Sequence, residues 1–338
     1  MKIRKPGLLG LTATVAITIA LAGCSSGSAD AGAQPSTEKP VVVRVQSQPS
    51  ISAEPLFVGI EKGFFADEGL DVQVQEIPDI SAATAALQAG KLDVAFVPVV
   101  SALTMARQNV ALTLIAPGDG VNPAAADAPE DEKRNYTGAA VYVSKASGIA
   151  DYADFEGKTI AVPELKGLPD GSISSVLKEA GVDTSTIEWV KLQFPQALES
   201  LKNDQIDAAF LVNPFTIQAD EAGLDRIMNS SLEFFPSGAT TSSWASSQKW
   251  VDENPEVVAA FQRAMKKADE YANENLDEMK QHSIDRTKSD LTPDQMPQTW
   301  WPTVIDEDAL AVVNEKLIDS GFYDSDLDVS TILTLPSE

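Results

Sequence analysis

The chain has 338 residues, and its 50 acidic and 25 basic side chains give a formal net charge of -25. A surface this negative excludes electrostatic binding to nucleic acid or to anionic lipid headgroups. The single cysteine excludes an intramolecular disulfide, and with only one histidine the chain is a poor candidate for Cys/His catalysis or a Cys/His metal site.

The first 24 residues have the layout of a secretory signal. A basic start precedes an apolar stretch at residues 8–21, which is short for a transmembrane helix, since spanning takes about 20 apolar residues. The stretch ends in Leu-Ala-Gly-Cys, which resembles the bacterial lipobox. This resemblance implies that residues 1–23 are removed and that Cys24 carries a lipid, with an ordinary signal peptide as the alternative. Residues 24–40 are rich in Ser, Gly, Ala and Pro and predict a flexible tether.

Strands alternate with helices over the next part of the chain, which indicates a mainly parallel sheet covered by helices. Apolar patterning and glycine stops predict strands at 41–46, from 70 onward, 93–97 and 110–115, and helices at 55–62, 81–89 and 99–108. After a polar loop that ends near Asn135, the apolar stretch "GAAVYVSKASGI" leads into a second series. It predicts strands at 158–163, 186–192, 207–212 and 224–228, and helices at 172–180, 196–203 and 215–222.

The C-terminal third is predicted to be helical. Asn254 and Pro255 resemble an N-cap and a first helical residue. Apolar residues then recur at three- and four-residue steps from Val258 to Met279, as on one long amphipathic helix. Further helices are expected from Thr292-Pro293 and over residues 307–320. These apolar faces are expected to pack against the first lobe.

The two series share a repeated unit. "KLDVAFVPVVSAL", residues 91–103, and "QIDAAFLVNPFTI", residues 205–217, both run from Asp-x-Ala-Phe to a proline and a helix start. In open α/β sheets ligands bind outside the carboxyl ends of the strands, where helix starts carry partial positive charge. Two lobes that face each other would therefore line one cleft. Asp93 and Asp207 are expected to fix their own loops.

The order of three phrases resembles the solute-binding proteins of ABC importers. The phrases are "PLFVGIEKGFFADEGLDVQV" at 55–74, "ALQAGKLDVAF" at 86–96 and "DFEGKTIAVP" at 154–163. Within that class the chain is most similar to the group that binds nitrate, sulfonates, taurine and pyrimidine precursors of thiamine. The resemblance covers residues 41–228, whereas the C-terminal third matches more in helical character than in motif.

The resemblance implies an α/β protein with the two-lobe periplasmic-binding-protein type 2 fold. Each lobe is expected to be a mainly parallel sheet flanked by helices, and two hinge crossings, near residues 143–148 and 238–244, should join the lobes. Lobe 1 is assigned residues 41–143 and 239–338, including a helical C-terminal extension. Lobe 2 is assigned residues 144–238.

The resemblance also implies a set of pocket residues on the loops that face the cleft. They are Gln48, Ser50, Ile51, Pro98, Val99, Ser101, Pro163, Glu164, Lys166, Asn213, Phe215, Thr240, Thr241 and Trp244. Lys166 is the only cation of this set, whereas Phe215 and Trp244 could stack on a flat ring. We therefore expect an organic solute rather than bare nitrate. Structural roles stay open for these residues, because Ser and Thr are common helix caps and Phe215 could belong to a core.

The function implied by the resemblance is that of an extracytoplasmic receptor, anchored through Cys24 to the bacterial cell membrane. It would pass a small sulfonate-like, pyrimidine-like or other heterocyclic solute to an ABC permease and its ATPase. We expect a monomer with no cofactor, metal, catalytic residue or nucleic-acid partner, and we expect His282 on the solvated helix surface. Two alternatives stay open, an enzyme of the same fold acting on a small metabolite and a lipoprotein that senses or scaffolds.

Overall fold

The computed structural model describes residues 32–77 and 79–336 of the chain. The predicted signal peptide, residues 1–23, and the predicted lipidation site Cys24 lie outside the described residues. The tether prediction is wrong for residues 32–40, because this segment contacts the folded chain. The N–H of Gly32 donates to the carbonyl of Glu253 at 2.8 Å, and Ser36 forms a backbone bridge with Lys39.

Strands and helices alternate along the described chain. The strands are β1 Val41–Ser47, β2 Leu70–Glu76, β3 Val94–Pro98, β4 Leu112–Pro117, β5 Ala139–Val143, β6 Thr159–Val162, β7 Glu188–Lys191, β8 Ala208–Val212, β9 Asp225–Met228 and β10 Ser242–Ser247. The helices are α1 Glu54–Glu61, α2 Phe64–Asp67, α3 Ile80–Gln88, α4 Val99–Arg107, α5 Leu168–Glu179, α6 Phe194–Lys202, α7 Phe215–Glu221, α8 Ser230–Phe234, α9 Gln248–Glu253, α10 Pro255–Glu274, α11 Leu276–Thr287 and α12 Glu307–Asp319.

The strands form two five-stranded sheets with the same arrangement. The order is β2-β1-β3-β10-β4 in lobe 1 and β7-β6-β8-β5-β9 in lobe 2. In lobe 1, β1 pairs in parallel with β2 and β3, and β10 lies antiparallel between β3 and β4. In lobe 2, β6 pairs in parallel with β7 and β8, and β5 lies antiparallel between β8 and β9. This repetition confirms the predicted two-lobe α/β fold class.

The chain crosses between the sheets at residues 118–138 and 229–241. The predicted first crossing near 143–148 is wrong, because β5 pairs in the second sheet and residues 144–158 only connect it to β6. The strand at 139–143 therefore belongs to lobe 2, not to lobe 1 as predicted. The predicted return at 238–244 overlaps the second crossing, but its last residues already form β10. The two crossings meet where Gly120 forms an antiparallel bridge with Thr240.

Alternate residues of each central strand face two different cores, as the period of a strand requires. In β3, Ala95 and Val97 belong to a core shared by both lobes, which also contains residues of α4, α5 and α12. Val94 and Phe96 face a second core, here called the outer core of lobe 1, which α1 and α10 cover. In lobe 2 the outer core lies under α6 and α7 and includes Leu211 of β8.

The C-terminal third divides between the lobes. The apolar stripe predicted as one helix is broken at Asn275, between α10 and α11, and both helices pack on α1 of lobe 1. The helix predicted from Thr292-Pro293 is only a 3₁₀ turn at Pro293–Gln295. The prediction that the last helix packs on lobe 1 is incomplete, because α12 packs against α5 of lobe 2.

Candidate functional site

The repeated unit forms the same strand-to-helix junction in each lobe. Pro98 ends β3 and is the N-cap of α4, and Pro214 immediately precedes α7. The predicted position of both prolines at a helix start is therefore confirmed. Val99 is fully buried, and its N–H donates to the carbonyl of Thr241 at 3.0 Å. The contact of Val99 with a ligand stays a prediction, and Ser101 is half-buried in the first turn of α4.

The two repeated aspartates connect neighbouring strands within their own lobes. The carboxylate of Asp93 accepts from the backbone N–H of Arg44 at 2.8 Å and from its guanidinium at 2.5 and 2.9 Å. The carboxylate of Asp207 accepts from the backbone N–H of Thr159 at 2.8 Å. Asp93 thus connects the start of β3 to β1, and Asp207 connects the start of β8 to β6, the equivalent strand of lobe 2. This confirms the predicted structural role.

The loop after β1 presents neutral polar groups. Ser50 is the N-cap of the short 3₁₀ turn at 51–53, and its hydroxyl accepts from the N–H of Ser52 at 3.2 Å. Gln48 is half-buried, and its carbonyl accepts from the N–H of Ser50 at 2.9 Å. Ile51 packs against the apolar cluster around Trp301. The side chain of Gln48, one of the three predicted pocket residues in this loop, makes no hydrogen bond within the described part of the chain.

The corresponding loop of lobe 2, between β6 and α5, presents charge. The half-buried Glu164 lies directly over Gly167, where an added Cβ would stand 2.4 Å from its Oε1. Gly167 is therefore the residue that leaves room for this carboxyl group. Lys166 has a left-handed backbone with φ of 60°, and its N–H donates to Asp170 at 2.6 Å. Pro163 accepts a hydrogen bond from Gln193 at its carbonyl, at 3.3 Å.

The Glu164 carboxyl lies in an electrostatically unfavourable environment. Burial raises its pKa, the nearby carboxylates of Asp170 and Asp79 raise it further, and Lys191 opposes them. Asp79 is the N-cap of α3 in lobe 1, so a carboxylate of lobe 1 acts on the pKa of Glu164 in lobe 2. No hydrogen-bond donor reaches Glu164 from residues 32–77 or 79–336. The Glu164 carboxyl group is therefore unpaired within the described residues and feels a carboxylate of the other lobe.

Asn213 and Phe215 lie at the end of β8. The Asn213 carboxamide accepts from the hydroxyl of Thr216 and donates to the carbonyl of Gln295 at 3.3 Å. The ring of Phe215 stacks on Phe194 at a centroid distance of 5.9 Å and an interplanar angle of 30°. Phe194, the first residue of α6, was not predicted as part of the site. Together the two rings form an aromatic surface on lobe 2.

The crossings bring together a group of side chains that the sequence did not indicate. Asp119 follows β4, and its carboxylate accepts from the hydroxyls of Ser52 at 2.7 Å, Thr241 at 3.0 Å and Ser242. Asp119 appeared in the sequence only as part of the turn "APGDG". The hydroxyl of Thr241, a predicted pocket residue, therefore donates its hydrogen bond to Asp119. Thr240 is 6% exposed, and its hydroxyl has no partner within the described chain.

Trp244 does not face the inter-lobe region. It is fully buried in lobe 1, with its ring 4.9 Å from that of Phe96 and 6.3 Å from that of Phe261. The prediction that Trp244 stacks on a ligand is wrong, because β10 is a central strand and Trp244 points into the outer core.

His282 is not the solvated surface residue that was predicted. Its Nδ1 lies 2.5 Å from Oε1 of the buried Glu54, and its Nε2 lies 3.0 Å from Oε1 of Glu61. Burial lowers the pKa of His282, but the hydrogen bonds to Glu61 and Glu54 outweigh it and the net pKa is raised. This histidine therefore joins α11 to α1 in lobe 1.

Other features of the described residues bear on the location of the site. A cavity of ≈ 100 Å³ between α10 and the chain after Trp301 is lined by Ala259, Gln262 and Val304, and it is small compared with the ~300–1,000 Å³ of ordinary ligand sites. Within residues 32–77 and 79–336, no group of three His, Cys, Asp or Glu side chains is placed to hold a metal ion. Over the same residues, no helix is long and apolar enough to cross a membrane.

Several known proteins are similar to this chain in sequence. A Bacillus subtilis protein provisionally named as an aliphatic sulfonates-binding protein is 26% identical over 278 residues, which are 80% of this chain and 75% of that protein. Two other relatives extend well beyond the match. The chain spans 35% of the nitrate import ATP-binding protein NrtC of Synechococcus elongatus, at 25% identity over 69% of this chain. It spans 21% of a Brachyspira hyodysenteriae protein provisionally named as an ABC transporter periplasmic binding protein, at 39% identity over 79 residues, or 22% of this chain.

Solved structures share the two-lobe architecture. The periplasmic aliphatic sulphonate binding protein SsuA of Escherichia coli superimposes with a TM-score of 0.67 at 14% identity, over 89% of this chain and 94% of SsuA. The periplasmic nitrate-binding protein NrtA of Synechocystis PCC 6803 does so with a TM-score of 0.61 at 16% identity, over 86% of each chain. At these identities the likeness shows the fold alone. Residues 36–284 match the model of the NMT1-like family, and the chain therefore belongs to this family.

Proposed function

We propose that this protein is an extracytoplasmic receptor that captures a small organic solute between its two lobes and delivers it to an ABC importer. The observation that carries the proposal is the pair of equivalent strand-to-helix junctions, β3–α4 and β8–α7, in two lobes that the crossings at 118–138 and 229–241 connect. Helix starts at the carboxyl ends of strands are the usual ligand position in such sheets. Membership of the NMT1-like family and the names of the similar proteins support a role in import.

The chemistry of the facing loops supports an organic solute over a bare inorganic anion. Glu164 presents an unpaired carboxyl group, which would repel nitrate or an isolated sulfonate group. On the same lobe, the half-buried rings of Phe215 and Phe194 stack on each other and would supply an aromatic contact. A heterocycle or another organic molecule that carries a hydrogen-bond donor would satisfy both features. An import role also supports the proposal that Cys24 carries a lipid and that the partners are a permease and its ATPase.

Thermal unfolding in the presence of single probes tests the proposal. The full chain with Cys24→Ser would be scanned with nitrate, ethanesulfonate, taurine, a carboxylate, an aminopyrimidine and a flavin. A solute at a hundred times its Kd stabilises a protein by about 2.7 kcal/mol, which is readily measured. We expect at least one organic probe to raise Tm and not to be turned over. A chain that none of the probes stabilises, or that converts one of them, would contradict the receptor proposal.

Two substitutions locate the binding of that probe. Ser101→Ala and Asn213→Ala change one polar group at each junction and should each weaken binding, because each removes a hydrogen-bonding group worth about 1 kcal/mol. Asn203→Ala is the matched control, since Asn203 is exposed at the far end of α6. If both junction variants bind the probe as tightly as the control does, the junctions are scaffold and do not contact solute.

A further inference from the structure

The end of the chain forms an arm that reaches from one lobe to the other. Residues 306–334, here called the C-terminal arm, contain α12 and a 3₁₀ turn at Val329–Ile332. Just before the arm, Trp300 forms a bridge with Gly120 of the first crossing, and Trp301 is fully buried against lobe 1. The arm therefore begins at lobe 1, contacts lobe 2 and returns.

The first half of the arm is packed on lobe 2. Lys316 forms an ion pair with Glu179 of α5 at 3.1 Å, and its carbonyl accepts from the hydroxyl of Ser175 at 3.3 Å. Leu317 is fully buried and approaches α5 so closely that a Cβ added to Gly171 would stand 3.0 Å from it. This close approach explains the glycine in α5. The contact surface is apolar, and only its rim is charged.

The second half of the arm is bonded to α4 of lobe 1. The hydroxyl of Tyr323 donates to the carbonyl of Val100 at 3.0 Å and lies 2.8 Å from the hydroxyl of Thr104. The guanidinium of Arg107 lies 3.7 Å from the centre of the Tyr323 ring, and its Nε donates to the carbonyl of Ser325 at 3.2 Å. Burial of Tyr323 raises its pKa to about 12, so its hydroxyl keeps its proton at neutral pH.

The arm ends on the edge of the first sheet. The N–H of Thr334 donates to the carbonyl of Leu114 in β4 at 2.9 Å, and Leu333 forms a parallel bridge with Leu114. Gln262 of α10 donates to the carbonyl of Thr334 at 2.7 Å. These bonds fix the end of the arm to lobe 1 independently of Tyr323.

We propose that the C-terminal arm is a third connection between the lobes, in addition to the two crossings, and that it limits how far the lobes open. The helices it joins, α4 and α5, both begin at the inter-lobe region, so any change of the angle between lobes must shift one of them relative to the arm. Because packed interfaces resist continuous deformation, such a shift has to break the Tyr323 contacts or the Leu317 contacts. Tyr323 and Leu317 are thus positioning residues that act through α4 and α5.

Distances between spin labels on the two lobes test this proposal without any solute. Labels at Gln75 in β2 and Glu188 in β7 are exposed, and they lie on the edge strands farthest from the crossings, where a change of angle gives the largest displacement. In the full chain with Cys24→Ser, we expect Tyr323→Ala and Leu317→Ala to lengthen the mean distance and widen its distribution. Tyr323→Phe keeps the ring beside Arg107 and should give a smaller shift in the same direction.

A matched leucine deletion separates this role from simple packing. Leu198 is 3% exposed and belongs to the core of lobe 2 alone, so Leu198→Ala should lower Tm without changing the distance distribution. If the arm variants lower Tm as Leu198→Ala does and leave the distribution unchanged, the proposal is overturned. If Tyr323→Ala does not fold, Tyr323→Phe and Arg107→Lys decide the question. Because no solute is used, the result does not depend on the proposed import function.

Discussion

Phe96 and Phe210 occupy the same position of the repeated unit in the two lobes, yet different parts of the chain cover them. Phe96 lies under α1 and α10, in the outer core of lobe 1. Phe210 lies on the corresponding side of β8, which α5 covers in the core shared by both lobes. The repeated unit thus determines the strand and the face, whereas helices outside the unit, including two from the C-terminal third, supply the cover. The helices α10 and α12 cover equivalent faces of lobe 1 and lobe 2.

The outer cores differ in the size of their side chains. In lobe 1 the outer core contains large rings, including Phe65, Phe96, Trp244 and Phe261. In lobe 2 it is rich in alanine, with Ala140, Ala161, Ala209 and Ala219 around Leu211. The two outer cores lie on opposite faces of the repeated unit, because Phe96 faces the first, whereas Ala209 and Leu211 face the second and Phe210 does not. The polar links between strands differ as well, and they can be tested one lobe at a time.

The largest expected effect comes from the link between β1 and β3. The side chain of Asp93 is 0% exposed and neutralises Arg44, so Asp93→Ala leaves a mostly buried guanidinium without its partner. We expect a loss of about 3 kcal/mol in the free energy of unfolding. The equivalent change in lobe 2, Asp207→Ala, removes an acceptor for one backbone N–H and should cost about 1 kcal/mol. Urea denaturation measures both losses.

The exposed Asp225 in β9 provides the control, and Asp225→Ala should change the free energy of unfolding by less than about 0.5 kcal/mol. Equal losses for Asp93→Ala and Asp207→Ala would break the comparison. They would mean that the salt bridge to Arg44 adds nothing to the backbone hydrogen bond that both aspartates accept.

Most strands and helices of the two series could be predicted, because their apolar alternation and glycine stops are local signals. The strand β10 could not, since "SSWASS" has few apolar residues and becomes a strand only by pairing between β3 and β4. The assignment of β5 to the wrong lobe has the same cause, because no local pattern shows which sheet a strand will join. The break at Asn275 was missed because the apolar stripe continues through it, although its own hydrogen bonds to Tyr271 and Ala272 are local.

The candidate site was less predictable than the fold. The resemblance indicated positions along the chain but not the direction of their side chains, and Val99 and Trp244 are both fully buried core residues. Asp119 was missed because a single acidic residue in a turn has no distinctive spacing. Phe194 was missed because its partner Phe215 is distant in sequence.

The next effect concerns the loops after the equivalent strands β1 and β6. The loop after β1 is neutral, whereas the loop after β6 is charged. Glu164→Gln removes the charge from the inter-lobe region and keeps the shape of the side chain. Nitrate and ethanesulfonate should then bind about tenfold more tightly, because the variant no longer repels an anion. An aminopyrimidine should bind about tenfold more weakly, because a hydrogen bond to a charged group contributes about 1.5 kcal/mol or more. Titration calorimetry at pH 8 measures the three affinities.

Glu188→Gln is the matched control, because Glu188 is exposed on β7 of the same lobe and should leave all three affinities unchanged. If Glu164→Gln behaves like this control for every probe, its carboxyl does not face the solute. The neutral loop of lobe 1 would then be the better candidate for selecting the solute.

The smallest expected effect distinguishes the lobes by pH, because the only histidine of the chain lies on lobe 1. The side chain of His282 is 22% exposed and lies between Glu54 and Glu61, while Arg286 also binds Glu54 at 2.8 Å. The folded state raises the pKa of His282 above its unfolded value of about 6.5. The histidine therefore stabilises the fold fully below about pH 6.5, and this contribution is lost as the pH rises through the folded pKa.

Unfolding free energies of the parent chain and of His282→Gln, measured at pH 6 and pH 9, test this sign. The parent should lose more stability than the variant between these values, by less than about 1 kcal/mol, because the pairs are partly exposed and screened by solvent. Raising the salt concentration should reduce the difference. Equal losses in the two proteins would show that the carboxylates hold the imidazole equally well in its neutral form, and that the link between α11 and α1 does not depend on charge.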